Sequence, residues 1–137
     1  MIILNFSHPL TAEQRGEIES LVGERIDEVR DVATQLDNEK VFEPQVTTLI
    51  DSAGLSVEEW QTARLLINPP AYTPATAVLL AELHGLMGYF PAVIRLRPVP
   101  DALPPRFETA EIINLQQVRA NARARRSEKE INEAPAS

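Results

Sequence analysis

Two stretches of this chain are built alike, and together they limit what it can fold into: "IILNFSHPLT" at residues 2–11 and "LLINPPAYTP" at residues 65–74. Each begins as an unbroken apolar run, reaches an asparagine, breaks at proline and arrives at a threonine suited to start a helix. A continuous apolar run suits a strand covered on both faces, as in the middle of a parallel sheet. A parallel neighbour needs a crossover, and a helix following the turn supplies one.

The segments between and after these two fit the same scheme. A first strand is expected over 2–7 and a helix over 11–23, where Thr11 and Gln14 form a capping box, Leu10, Ile18, Leu21 and Val22 supply an apolar stripe, and Gly23 can end it. "RIDEVRDVATQL" reads as a short, half-exposed strand near its beginning. Residues 42–54 suit a helix, with Pro44 in its first turn and Gly54 at its end, and Ser56 with Glu59 makes a second capping box ahead of Trp60, the single tryptophan. After the strand "RLLINPP", Thr73 and Pro74 read as N-cap and first helical residue. The helix they open, "ATAVLLAELHGLMG", is apolar almost all round except for Thr76, Glu82 and His84, so it needs cover on two sides. "PAVIRLRP" has the period of a strand with one polar face, "RFETAEIINL" adds a last strand, and a helix follows over about 114–126.

The alternation of strand and helix predicts an α/β fold: a small Rossmann-like domain over 1–126, its mainly parallel sheet flanked by helices. Residues 127–137 are polar and charged, and a flexible C-terminal tail is expected there.

A chain of 137 residues with 44% apolar content fits one core, and no apolar run approaches the roughly 18 residues of a membrane span. The start, "MIILNF", lacks the basic segment and small-residue cleavage site of a secretory signal, so a cytoplasmic protein without membrane contact is expected. There is no cysteine, and His8 and His84 are the only histidines, so neither a metal site nor a cofactor is expected. The net charge of −7 is unevenly spread. Residues 1–62 carry 13 acidic against 4 basic side chains, residues 63–127 carry 4 against 8, and residues 128–137 carry 3 against 1. This excludes a general binder of long nucleic acid, whose affinity grows with the number of phosphates it neutralises. A small anion held at one place remains compatible with it.

In open parallel sheets ligands bind beyond the carboxyl ends of the strands. Asn5, Phe6, Ser7 and His8 fall at the end of the first strand, and Asn68, Pro69 and Pro70 at the end of the third, so the two turns can form one crevice. Turn propensity alone is the competing explanation. His8 could act as a general acid or a phosphate ligand, against the alternative of a surface loop histidine; His84 reads as a packing or interface residue. Arg95 and Arg97 share one strand face roughly 6.6 Å apart and could hold neighbouring anionic groups, unless they protect a sheet edge. Arg119, Arg123 and Arg126 form a basic stripe at helical spacing, which a solvated last helix also explains. The carboxylates around Glu17, Glu28 and Asp31 read as solvated. GxGxxG, Walker A, GxSxG and HExxH patterns are all missing, which counts against mononucleotide and hydrolase readings.

Taken together, "ILNFSHPLT", "GLSVEEWQT", "LLINPP", "LLAELHGLMGYFP" and "VIRLRP" resemble the CRISPR-associated Csx fifteen family of type III accessory proteins, over about residues 1–120. That resemblance implies a CARF-like domain for cyclic oligoadenylate second messengers, with cyclic tetra-adenylate as the ligand and the "NFSHP" and "NPP" turns as its site, the "HGLMGYFP" region nearby. No second domain to carry a nuclease is expected in these residues, which leaves two roles toward the messenger. The protein sequesters it, which is the favoured expectation, or cleaves it as a metal-independent ring nuclease through Ser7 and His8. A third alternative is a protein-interaction subunit working through the acidic half. A two-fold dimer, joined through the helix at 75–87, would present its loops to opposite sides of the ring, and a higher assembly could form with ligand.

Overall fold

The computed structural model describes residues 1–133. Ten elements follow in order: β1 (Ile2–Asn5), α1 (Ala12–Val22), β2 (Glu28–Asp31), α2 (Phe42–Ser52), α3 (Val57–Thr62), β3 (Leu65–Asn68), α4 (Thr73–Met87), β4 (Ala92–Pro98), β5 (Phe107–Asn114) and α5 (Leu115–Glu133). The five strands form one sheet in the order β2-β1-β3-β4-β5. Every neighbouring pair is parallel except β4 and β5, which run antiparallel. The fold is α/β with a mostly parallel sheet flanked by helices, as in a small Rossmann-like domain.

Alternation along the central strands divides the interior into two layers. Leu4, Ile67 and Val93 face a larger cluster with Val46 and Ile50 of α2, Trp60 of α3 and Leu79, Leu83 and Met87 of α4. Ile3, Leu66 and Ile94 face the other side, where Ile18 of α1 joins them. The continuous apolar runs are therefore explained by cover on both faces.

Local signals set most helix ends. The capping boxes at Thr11/Gln14 and Ser56/Glu59 both form, and Gly23 closes α1 at φ 77° in the left-handed region. Glu59, whose Oε1 accepts from Ser56 N at 3.0 Å, is held below its ordinary 4.5. Gly54, at φ 72°, follows α2, where Arg30 Nη1 donates to the Ala53 carbonyl at 2.8 Å.

Three expectations change. α4 starts one residue early, because its first bond runs from Thr76 N to the Tyr72 carbonyl and makes Tyr72, not Thr73, the N-cap. α5 does not stop near 126 but continues to Glu133, so residues 127–133 are helical; residues 134–137 lie outside the described residues. The extension places Arg126 four before Glu130 and Lys129 four before Glu133, the spacing at which opposite charges support a helix. Nor is Glu17 simply solvated: its Oε1 accepts from Thr109 N at 3.1 Å while Gln14 Nε2 donates to the Phe107 carbonyl at 3.0 Å. Those two side chains of α1 occupy backbone groups of the edge strand β5, which a second chain could otherwise pair with.

No helix is long and apolar enough to cross a membrane among the described residues. Leu83 is fully buried where α4 meets the larger cluster. Leu83→Ala should lower the unfolding free energy by about 2–5 kcal/mol, measured by urea denaturation; a loss well below that range would show that the layer is loosely packed.

Candidate functional site

β1 lies between β2 and β3, and the chain leaves β1 for α1 on one face and β3 for α4 on the other. This is the point in an open α/β sheet where the connections part and leave a crevice beyond the strand ends. In register there stand Asp31, Asn5 and Asn68, the last residues of β2, β1 and β3.

Asn5 joins all three strands. Its Oδ1 accepts from Asn68 Nδ2 at 2.9 Å and from Ser7 N at 3.1 Å, and its Nδ2 donates to Asp31 Oδ1 at 2.8 Å and to the His8 carbonyl at 2.9 Å. The bond to Ser7 N is an Asx turn, which folds the backbone sharply after the strand. Backbone bonds reinforce the join: Phe6 N donates to the Asn68 carbonyl at 2.9 Å and Val32 N to the Asn5 carbonyl at 2.8 Å. Asn5 and Asn68 are both buried, and among the described residues no buried side-chain polar atom lacks a partner. The polar residue at the end of each apolar run is thus a cross-strand clasp.

Above this clasp opens a cavity of about 610 Å³. The first turn contributes Phe6, Ser7, His8 and Pro9, and the third strand's turn contributes Pro70, Ala71 and Tyr72. The two turns do converge. A third wall, which the sequence did not single out, comes from Asp31 and the segment after β2, through Val32, Thr34, Leu36 and Asn38. Gln45 of α2 pins that segment: its Oε1 accepts from Asp37 N at 2.7 Å and its Nε2 donates to the carbonyls of Asp37 at 3.1 Å and Val41 at 2.9 Å. Tyr72 is braced by Phe42, the ring centroids 5.6 Å apart and the planes at 70°.

The expected site residues fall into three groups. Phe6, Ser7, His8 and Pro70 line the cavity, and Asn5 and Asn68 lie beneath it as its support; Pro69 belongs to the turn but not to the lining. Arg95 and Arg97 do not reach it. They stand on β4, where Arg95 pairs with Glu111 at 2.7 Å and Arg97 with Glu108 at 2.8 Å across the antiparallel partner strand, so their charge is already engaged. His84 packs against Phe90, centroids 4.3 Å apart and planes tilted at 48°, and neither residue lines the crevice.

The lining therefore contains one carboxylate, Asp31, one imidazole, His8, and no arginine or lysine. Lys40 belongs to the pinned segment without lining the cavity. Among the described residues neither the Ser7 hydroxyl nor the His8 ring has a hydrogen-bond partner, and no group of three or more metal-ligating side chains occurs. A crevice of this kind can hold a nucleotide-sized ligand through hydroxyls, amides and an aromatic surface. No protein-family model, curated protein or solved structure matches the chain.

Only Asn5 touches every partner in the clasp, so its loss strands more groups than the loss of Asn68. Asn5→Ala should cost about 3 kcal/mol of stability and Asn68→Ala about 1 kcal/mol, both read from denaturant midpoints. Equal losses would mean that the bonds to Ser7, His8 and Asp31 contribute little.

Proposed function

We propose that the protein binds a cyclic oligoadenylate, cyclic tetra-adenylate, in this crevice and sequesters it, in keeping with the resemblance to the Csx fifteen family and a CARF-like role. The observation that carries the proposal is the convergence of the "NFSHP" and "NPP" turns on one cavity of about 610 Å³ at the sheet's switch point. That volume suits part of a tetranucleotide ring rather than all of it. A two-fold pair of chains would each take one side of the ring. Exposed Ala77, Ala81, Gly85 and Leu86 on α4 offer a surface for such a pairing.

Holding is favoured over cutting because the crevice lacks an assembled catalyst. Cleavage needs an aligned 2′-hydroxyl, charge stabilisation on the phosphate and an acid for the leaving oxygen. Ser7 and His8 are neighbours in the lining but share no hydrogen bond, and no cation stands beside them. Groups that hold substrate and transition state equally well do not speed the chemical step.

Cyclic tetra-adenylate should bind the purified protein and be recovered intact after long incubation with excess protein and denaturation, with Ser7→Ala and His8→Ala reducing retention. Accumulation of linear adenylates with cyclic phosphate ends, abolished by His8→Ala without loss of binding, would make the protein a ring nuclease. Absence of binding would leave the interaction subunit as the better reading. Light scattering at micromolar concentration should give the mass of a dimer; a monomer both with and without ligand would rule out the two-sided grip.

A further inference from the structure

A carboxylate in the lining is an odd companion for a polyanion. Asp31 is held by Asn5 through Oδ1 at 2.8 Å, while its Oδ2 has no hydrogen-bond partner among the described residues. Asn5 is itself buried and fixed by four bonds, so the carboxylate is oriented, not adrift. A phosphate beside it would be repelled, with no lysine or arginine in the lining to compensate. A fixed, acceptor-only group needs a donor, and on a nucleotide the ribose hydroxyl is a donor that carries no negative charge. On a second wall of the same cavity stands Tyr72, half exposed and braced by Phe42. An aromatic ring held in that way stacks a base without adding charge.

We infer that the crevice reads the nucleoside and not the phosphate: Asp31 accepts a hydrogen bond from a ribose 2′-hydroxyl, and Tyr72 stacks the base of the same nucleotide. Selectivity for ribonucleotides over deoxyribonucleotides follows, and it rests on the binding proposed above. In a 3′,5′-linked adenylate ring every nucleotide keeps its 2′-hydroxyl free, so each can offer one donor. The phosphates then lie on the side of the ring away from Asp31, toward solvent or a second chain.

The experiment compares cyclic tetra-adenylate with its 2′-deoxy counterpart by calorimetry, on the full chain and on Asp31→Asn, Tyr72→Ala and Tyr72→Phe. Asn at position 31 keeps the Oδ1 acceptor for Asn5, and unchanged circular dichroism and thermal midpoint establish that each variant folds. The full chain should bind the ribose ring about tenfold more tightly than the deoxyribose ring, the scale of a hydrogen bond to a charged acceptor. Asp31→Asn should narrow that ratio to about twofold, because it removes the charged acceptor from the 2′-hydroxyl while any relief of repulsion acts on both rings alike. Tyr72→Ala should weaken both rings about tenfold and Tyr72→Phe neither. Equal binding of both rings by the full chain, or an equal loss of both in Asp31→Asn, overturns the inference while leaving the binding proposal standing. Failure of the full chain to bind either ring overturns both.

Discussion

The side-chain amide of Asn5 is the constraint on which this structure turns. A parallel sheet is strongest along its strands and weakest where they end, because the ladder stops and the chain must leave for opposite faces. Asn5 occupies that place with two acceptor and two donor contacts, tying β1 to β3 through Asn68, to β2 through Asp31 and to its own turn through Ser7 and His8. Burial makes the arrangement demanding, since a half-satisfied amide in a low-dielectric interior costs more than an apolar residue in its place. It also makes the arrangement specific. Sliding β3 by one residue would bring Ile67 opposite Asn5 and take from Asn68 its bond to Asn5 Oδ1.

How much of this could be read from the chain depended on the range of the interactions. The capping boxes, the glycine that ends α1 and the asparagine-to-proline breaks act within a few residues, and they appear where the sequence indicates. The role of Asp31 could not be read the same way, because it depends on the register that sets Asp31 beside Asn5, 26 positions earlier. Tyr72 faced the same difficulty: its brace, Phe42, lies 30 positions away. Arg95 and Arg97 stand on a strand, as their alternation with Ile94 and Leu96 indicates, but their partners come from β5, whose pairing contains a register shift after Arg95. The length of α5 is hidden in the sequence for a different reason. Beyond Arg126 the sequence offers little to bury, yet no residue of α5 is buried and it is helical to Glu133, so burial is not the condition for order there.

The uneven charge also acquires a partial physical account. Several acidic residues of the first half serve as acceptors for structure: Glu17 at the β5 edge, Glu59 in the α3 cap, Glu28 beside Arg30, and Asp31 in the clasp. Two of the second half's arginines are matched within their own hairpin. The four arginines between 119 and 126 are different, standing exposed on a helix with no salt bridge among the described residues. None of these arginines lines the crevice.

That separation bears on what the crevice can do. A site that stabilises a phosphorane needs donors or cations aimed at charge that develops only in the transition state. The cavity offers a fixed acceptor, an aromatic ring and hydroxyls, which complement the neutral parts of a nucleotide equally well before and during reaction. On the proposed reading, the same arrangement would leave the phosphates unneutralised by the chain that holds the base, and a ring bound to one copy would keep most of its charge facing outward. On the proposed reading, tight retention then depends on a second copy meeting that outward face and on enough separately held nucleosides to offset the desolvation of each phosphate.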